Sequence, residues 1–260
     1  MQSDSPSPPA LARRQLCLAG LGSLGALGLG GCASAPVPQP AAADQVQAFS
    51  GERLGAVPDR WHTYALRKDV PHTHYQVETL QGQKVLYAHA RSSVSGLRCA
   101  VHVDPSTRRH LDFSWLVQDV PARGNVAVPE EDDCPARVIV AFGGDETRLS
   151  LRDRLFYEQV ELFTGQRLPY ATLMYVWDGG SNPTEAIVRN HRTSRIQYLV
   201  VDSGPAGTSQ WRRHRRDLVA DFQRAFGEAP GPITSVGVLT DGDATKAELQ
   251  AWYGDIRLEA

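Results

Sequence analysis

The sequence predicts an all-β domain, in which two antiparallel sheets pack as a β-sandwich of the jelly-roll, galactose-binding-like type with two helical insertions. Three observations favour this class. Apolar residues alternate with polar ones in segment after segment, and turn residues separate the segments at short intervals. Strands and helices do not alternate regularly, so the pattern is not typical of a parallel sheet.

The strongest strand signal is an apolar or aromatic residue at every second position. It is found in Val85-Tyr87-His89, Leu97-Cys99-Val101-Val103 and Leu111-Phe113-Trp115-Val117. This period is typical of strands that bury one face. Further strands are predicted at 136–142, 173–177, 196–201, 233–239 and 252–258. Turns are expected where the chain reads Ser95-Gly96, Asp104-Pro105, Gly143-Gly144, Gly179-Gly180, Ser203-Gly204-Pro205 and Asp241-Gly242.

Helical spacing interrupts the strands twice. The first helix is predicted over about 150–163, with Leu151, Leu155 and Leu162 on one side and Gly165 after its end. The second is predicted over 211–226, before Gly227, and carries several arginines. These arginines fit either a solvated helix face or a surface for an anionic partner.

The N-terminal segment predicts export and lipidation. Arg13-Arg14 precedes an apolar, glycine-rich run that ends in Leu29-Gly30-Gly31-Cys32, the pattern of a lipoprotein signal peptide over 1–31. The run is too short and too rich in glycine to favour a spanning helix. Cys32 is therefore the predicted lipid attachment point. The paired arginines also resemble a twin-arginine export signal.

The residues that follow suggest where the protein resides. Segment 32–47 is rich in proline and alanine and is predicted to be an extended tether to the domain at 48–260. We expect a membrane partner through lipid on Cys32 and a place on the periplasmic face of the cell envelope. No aspartate follows Cys32, which favours the outer membrane in a two-membrane bacterium. A net charge of −2 gives no support to a nucleic-acid partner.

Four segments of the chain resemble a bacterial family, the domain of unknown function 3047. They are Glu131-Asp132-Asp133-Cys134-Pro135-Ala136-Arg137-Val138, Leu168-Pro169-Tyr170-Ala171-Thr172-Leu173-Met174-Tyr175-Val176-Trp177, Asp221-Phe222-Gln223-Arg224-Ala225-Phe226-Gly227 and Trp252-Tyr253-Gly254-Asp255-Ile256. The resemblance starts near Pro58 and implies a fold similar to carbohydrate-module sandwiches, with no established activity. One stretch departs from the family pattern Asp-x-Asp-Asn-Thr-Gly, because here it reads Asp241-Gly242-Asp243-Ala244-Thr245-Lys246.

Acidic residues near strand ends are the candidate ligand contacts. Asp132 and Asp133 precede one strand, and Asp241, Asp243 and Asp255 lie near or on the last strand. If these loops meet, their oxygens suit a structural calcium ion, although acids in turns more often cap backbone amides. No other cofactor is predicted.

Arg137 lies two residues inside the strand that follows the acids. Its guanidinium is predicted to pair with Asp133 or another carboxylate, and the alternative is an anionic ligand. The pairing is favoured, because acids are abundant nearby and an unpaired buried arginine is unfavourable. Two cysteines of the domain, Cys99 and Cys134, are left without a predicted pairing.

Aromatic side chains are the second kind of candidate contact. Tyr175, Trp177, Trp252 and Tyr253 carry flat apolar faces with a polar edge, which suit a sugar ring and equally suit a protein core. Tyr175 and Trp177 share one face of their strand. Trp177 is the predicted exposed platform, because it ends its strand at a loop.

These residues predict a non-catalytic binding module for a glycan or another polar ligand. The first alternative is a carbohydrate-active hydrolase or lyase with paired carboxylates, for which Asp132, Asp133 and Asp255 are the catalytic suspects. The second is a structural or assembly protein of the envelope. The ligand-binding prediction requires segments 130–133, 177–182 and 241–255 to meet on one surface.

Overall fold

The computed structural model describes residues 43–65, 67 and 69–260. The predicted signal peptide, the lipidation at Cys32 and the first part of the tether lie outside these residues. The described end of the predicted tether lies against the domain, since Ala43 forms a parallel bridge with Val101 and Gln47 accepts a hydrogen bond from the indole of Trp61. Among the described helices, none has the length and apolar character needed to span a membrane.

The described residues form thirteen strands and two α-helices. The strands are β1 Trp61–Tyr64, β2 His74–Leu80, β3 Gln83–Arg91, β4 Val94–Val103, β5 His110–Val117, β6 Arg137–Phe142, β7 Ala171–Asp178, β8 Ile187–Arg189, β9 Ile196–Ser203, β10 Arg212–Asp217, β11 Ile233–Asp241, β12 Glu248–Tyr253 and β13 Arg257–Glu259. The helices are α1 Leu151–Thr164 and α2 Leu218–Phe226.

The strands form two sheets. The first has the order β1-β4-β11-β6-β7-β9-β8, and the second has the order β10-β5-β12-β3-β2 with β13 beside β5. All pairs are antiparallel except β7 with β9. The inner faces pack into one apolar core, and the chain crosses repeatedly from one sheet to the other. The predicted all-β sandwich with two helical insertions is confirmed.

Strand β7 is apolar on both faces because both are covered. Tyr175 and Trp177 point into the core between the sheets, whereas Met174 and Val176 belong to a second apolar cluster on the other side of the first sheet. The two cysteines follow the same division. Cys99 is buried in the main core and Cys134 in the second cluster.

The predicted helices have different outcomes. Helix α1 agrees with its prediction: the Ser150 side chain accepts a hydrogen bond from the Asp153 amide, and Gly165 ends the helix in the left-handed region. The second helix is shorter than predicted. Residues 212–217 form β10 against β5, and α2 begins only at Leu218, where Asp217 caps it. Segment 252–258, predicted as one strand, contains the end of β12 and the start of β13.

The register defines two ends of the first sheet. At one end, which we call the acidic end, β11 ends beside the start of β4, and β6 begins beside the end of β7. At the opposite end, which we call the helical end, Ile233 of β11 lies between Val103 of β4 and Phe142 of β6. Helix α1 connects β6 to β7 at the helical end.

Candidate functional site

A buried arginine organises the acidic end. The Arg137 side chain is 3 % exposed, and its Nη2 atom lies 2.8 Å from Asp241 Oδ2 and 3.0 Å from Asp132 Oδ1. Its guanidinium also lies over the ring of Tyr198, 5.4 Å from the centroid. The predicted pairing of Arg137 with a carboxylate is present, and Asp241 and Asp132 are the partners instead of Asp133. The guanidinium of Arg137 is therefore already hydrogen-bonded by groups of the protein itself.

Asp133 holds the turn that contains the departure from the family pattern. Its carboxylate is fully buried and accepts hydrogen bonds from Ala244 N at 3.1 Å, Thr245 N at 2.6 Å and Thr245 Oγ1 at 2.6 Å. Two predicted ligand segments, 130–133 and 241–246, thus lie together. Asp133 joins them by binding backbone amides, which is the role that acids in turns usually have.

Three carboxylates at this end are close enough to hold a metal ion. Oxygens of Asp133, Asp241 and Asp243 lie within 4.8 Å of one another. Burial, opposed by Arg137 and reinforced by neighbouring carboxylates, raises the pKa of Asp241 to about 8. Asp243 Oδ2 also accepts a hydrogen bond from Arg67 at 2.8 Å. Guanidinium groups thus already supply positive charge to two of the three acids, and the structural calcium ion stays a prediction.

The third predicted segment also reaches the acidic end. Asp178 is fully buried and accepts hydrogen bonds from the amides of Gly180, Ser181 and Asn182, at 2.8 to 3.0 Å. The Asn182 side chain then bonds to that of Asn125 at 2.9 Å. Segments 130–133 and 177–182 and the first part of 241–255 therefore lie at the acidic end, and their buried carboxylates are already hydrogen-bonded by the protein itself.

The two predicted aromatic contacts of β7 are buried. Trp177 has no exposed surface, and its indole donates to the carbonyl of Gly204 at 2.9 Å. Tyr175 is equally buried and donates to Asp221 at 3.0 Å. The prediction of an exposed platform at Trp177 is wrong, because its side of the strand faces the opposite sheet. Neither ring is available to a ligand.

Asp255 is separate from the other predicted acids. It lies between β12 and β13, and its carboxylate accepts hydrogen bonds from the amide of Ser50 at 3.0 Å and its hydroxyl at 2.7 Å. Asp132 instead bonds to Arg137 at the acidic end. The suspected catalytic set of Asp132, Asp133 and Asp255 is therefore not brought together around one cleft.

The outer face of the second sheet presents a row of aromatic rings. Trp252 of β12 lies opposite Tyr87 of β3, with ring centroids 5.4 Å apart and an angle of 33° between their planes. Their chain neighbours Leu86 and Tyr253 point into the core, so both rings face outward. Trp211 directly precedes β10 and continues the row, because Arg212 is in register with Trp115 on the inner side. All three outward rings are half-buried.

Polar groups surround these rings. Glu78 accepts a hydrogen bond from the Trp252 indole, and Gln250 accepts one from the Tyr87 hydroxyl at 2.8 Å. The Trp211 indole donates to Gln81 at 3.1 Å, although Gln81 lies in the β2–β3 turn and β10 is three strands from β3. This contact joins the residue before β10 to the β2–β3 turn on the outer side of the second sheet.

We call this surface the aromatic face. It consists of the three rings and the polar side chains between and beside them on the outer side of β2, β3 and β12. Its members are Trp211, Tyr87, Trp252, Gln76, Glu78, His89 and Gln250.

The sequence predicts only part of the aromatic face. Alternation places Tyr87 on a strand and Trp252 is a candidate contact, but the spacing around Trp211 predicts a helix. A usable signal was present in β3, where aromatic and polar residues at 87, 89 and 91 alternate with Leu86, Ala88 and Ala90. Small and aliphatic residues on one side indicate a buried face and leave the aromatic side for solvent or a ligand.

The fold and this surface define a two-sheet β-sandwich with an outward-facing row of half-buried aromatic and polar side chains. Residues 59–257 match the family described as "Protein of unknown function (DUF3047)", and the chain belongs to that family. A search of curated proteins finds no match to the chain.

Solved structures similar to this chain include carbohydrate-binding modules. The family 11 module of cellulase Lic26A-Cel5E of Clostridium thermocellum is 9 % identical with a TM-score of 0.42, covering 85 % of this chain and 96 % of that chain. The family 11 module in complex with a mixed-linked tetrasaccharide is 9 % identical with a TM-score of 0.38, covering 85 % and 98 %. The xyloglucanase domain of NopAA from Sinorhizobium fredii with cellobiose is 9 % identical with a TM-score of 0.39, covering 77 % and 98 %.

Proposed function

We propose that this protein is a non-catalytic glycan-binding module, held in the cell envelope by lipid on Cys32. The aromatic face is the observation that carries the proposal. A half-buried ring offers a flat apolar surface for the C–H side of a pyranose while polar neighbours bond its hydroxyls. Tyr87 and Trp252 supply such rings, and Glu78 and Gln250 supply carboxylate and amide groups beside them.

The dimensions of the aromatic face favour a chain of sugars as the ligand. The row from Trp211 to Gln76 crosses β10, β5, β12, β3 and β2 in register. Four strand spacings correspond to roughly 19 Å. A face of this length contacts several consecutive sugar rings, so we expect an oligosaccharide to bind more tightly than a monosaccharide.

Affinity electrophoresis against soluble β-glucans and peptidoglycan fragments tests the proposal. We expect the wild-type chain to be retarded by at least one of these glycans. Trp252→Ala and Tyr87→Ala should each weaken retention about tenfold, because each removes a ring that covers a sugar. The matched control is Phe163→Ala, which removes a ring that is 68 % exposed on α1, away from the second sheet.

Two results would count against glycan binding at this face. One is the absence of retardation of the wild-type chain by any glycan in the panel. The other is equal retardation of the wild type, both aromatic-face variants and the control. Circular dichroism shows whether each variant is folded. We expect the spectra of the variants to match that of the wild type, because partly exposed rings contribute less to stability than core residues do.

A further inference from the structure

Helix α1 presents apolar side chains to solvent. Leu151, Leu155, Leu162 and Phe163 are 66 %, 57 %, 80 % and 68 % exposed. A surface helix normally turns its apolar stripe toward the core. In α1 the buried side chains are Asp153 and Tyr157, and Phe156 packs partly buried against the core, whereas the leucines and Phe163 lie on the solvent side.

Polar contacts fix α1 in this orientation. The Asp153 carboxylate accepts hydrogen bonds from Thr193 Oγ1, from Ser194 N at 2.9 Å and from Ser194 Oγ at 2.8 Å. The Tyr157 hydroxyl donates to the carbonyl of Pro169 at 2.9 Å. Because these groups hold the opposite side of the helix, the apolar side is presented outward in a defined position.

Arginines lie beside the exposed apolar residues. A groove of about 890 Å³ runs between α1 and the loop at 191–192, and its lining includes Leu155, Phe163, Arg152 and Arg192. Arg152 donates to the carbonyl of His191, and Arg192 to its ring. Within the part of the chain that the structure describes, neither arginine has a carboxylate partner. The two glutamates of α1 do not line the groove, and Glu158 is exposed one helical turn from both Leu155 and Leu162.

We propose that α1 docks on an anionic phospholipid surface. Leucine and phenylalanine side chains enter the boundary between headgroups and acyl chains, while Arg152 and Arg192 meet the phosphates. This pairing of apolar and cationic groups on one surface is complementary to an anionic bilayer. A soluble protein partner would need an apolar projection that fits the groove and acidic groups placed opposite the two arginines. An anionic bilayer offers both kinds of group without a specific shape.

The position at which the chain enters the domain supports this occupant. Ala43 is bridged to Val101, two residues from the end of β4, and so lies toward the helical end that also carries α1. Eleven residue-to-residue steps lead from Cys32 to Ala43, with ten residues between them. Fully extended, they span at most roughly 36–40 Å. Lipid on Cys32 would therefore hold the helical end within reach of the bilayer, although binding of α1 does not itself require that lipid.

Vesicle flotation of the full chain carrying Cys32→Ser tests the proposal. The vesicles contain phosphatidylcholine alone or an equal mixture with phosphatidylglycerol. We expect binding to the mixed vesicles that weakens with added salt, because the arginine–phosphate contacts are screened. Leu155→Glu and Phe163→Glu should each lower the partition coefficient about tenfold. The matched control is Leu54→Glu, at an apolar residue that is 58 % exposed outside α1.

Hydrogen–deuterium exchange locates the contact, since the N-terminal apolar run is present in every variant. We expect vesicles to slow exchange at residues 151–164 in the parent chain with Cys32→Ser and not in the two α1 variants made from it. Protection confined to residues 1–42, or equal partitioning of all variants, would overturn the proposal. Self-association that depends on Leu155 and Phe163 without vesicle binding would assign the surface to a second copy instead. These results are independent of the glycan assay, so either proposal can fail alone.

Discussion

At the scale of single residues, Lys246 has a backbone conformation that suits the glycine expected at its position from the family resemblance. Lys246 has a φ of 60°, in the left-handed region that glycine adopts without penalty. The other departure in this stretch has less effect on the turn. Ala244 takes the place of asparagine, but the turn uses its backbone amide, which donates to Asp133. The turn therefore survives both changes, with backbone strain at Lys246.

We predict that Lys246→Gly stabilises the protein relative to Lys246→Ala by about 1 kcal/mol. Both changes remove the hydrogen bond from Lys246 Nζ to the carbonyl of Asp243, so they differ mainly in the backbone. Urea denaturation gives the two free energies of unfolding. Equal values would show that the left-handed conformation at this turn is not a source of strain.

The burial of Trp177 shows what alternation leaves undecided. Alternation correctly predicts that Tyr175 and Trp177 share one face of β7 and that Met174 and Val176 share the other. It does not identify the covered face when both are apolar. Here both faces are covered, one by the second sheet and one by the cluster around Cys134. The preference for Trp177 rested on its position at the strand end, which does not determine exposure.

At the scale of elements, local signals predicted α1 well and β10 poorly. Ser150 and Gly165 are next to the helix in sequence, and their capping roles follow from local chemistry. Segment 211–217 has helical spacing, but it pairs with β5, about a hundred residues away. Its arginines also find distant acids, as Arg215 does with Asp112 at 2.7 Å. Partners this distant in sequence have no local signature, and tertiary pairing overrides the helical pattern.

Asp153 connects α1 to the loop at 193–194, and this connection is sensitive to pH. Burial alone would raise the pKa of Asp153, but hydrogen bonds from Ser150, Thr193 and Ser194 lower it to about 2 from the ordinary 3.8. A carboxylate whose pKa is lowered on folding stabilises the fold above its unfolded value. That stabilisation is lost as the pH falls from about 4 through 2.

We predict that Asp153→Asn costs about 2 kcal/mol of stability at neutral pH. The difference from wild type should shrink as the pH falls to about 2. Glu158→Gln, at an exposed carboxylate of the same helix, is the control and should change little. Denaturation at a series of pH values measures the effect. A difference that stays constant with pH would mean that the charge of Asp153 is not what stabilises α1.

At the scale of the whole molecule, three surfaces have separate positions. The acidic end joins its loops through buried hydrogen bonds of Arg137 to Asp241 and Asp132. The helical end carries α1 and the entry of the chain, and the aromatic face lies on the outer side of the second sheet. Composition and alternation predicted the sandwich, because they depend on each segment alone. The arrangement of surfaces depends on strand order, which nonlocal pairing determines. The proposed docking of α1 would place the helical end at the bilayer and leave the acidic end pointing away from it.

We predict that Cys32→Ser abolishes lipid attachment, because the thiol of Cys32 is the only nucleophile that a lipoprotein signal of this form places after its cleavage point. Incorporation of labelled palmitate is the primary measurement, since α1 gives an unlipidated chain a second means of staying with membranes. The wild type should carry label, and Cys17→Ser, within the apolar run, should carry as much. Equal labelling of Cys32→Ser and wild type would contradict the anchor.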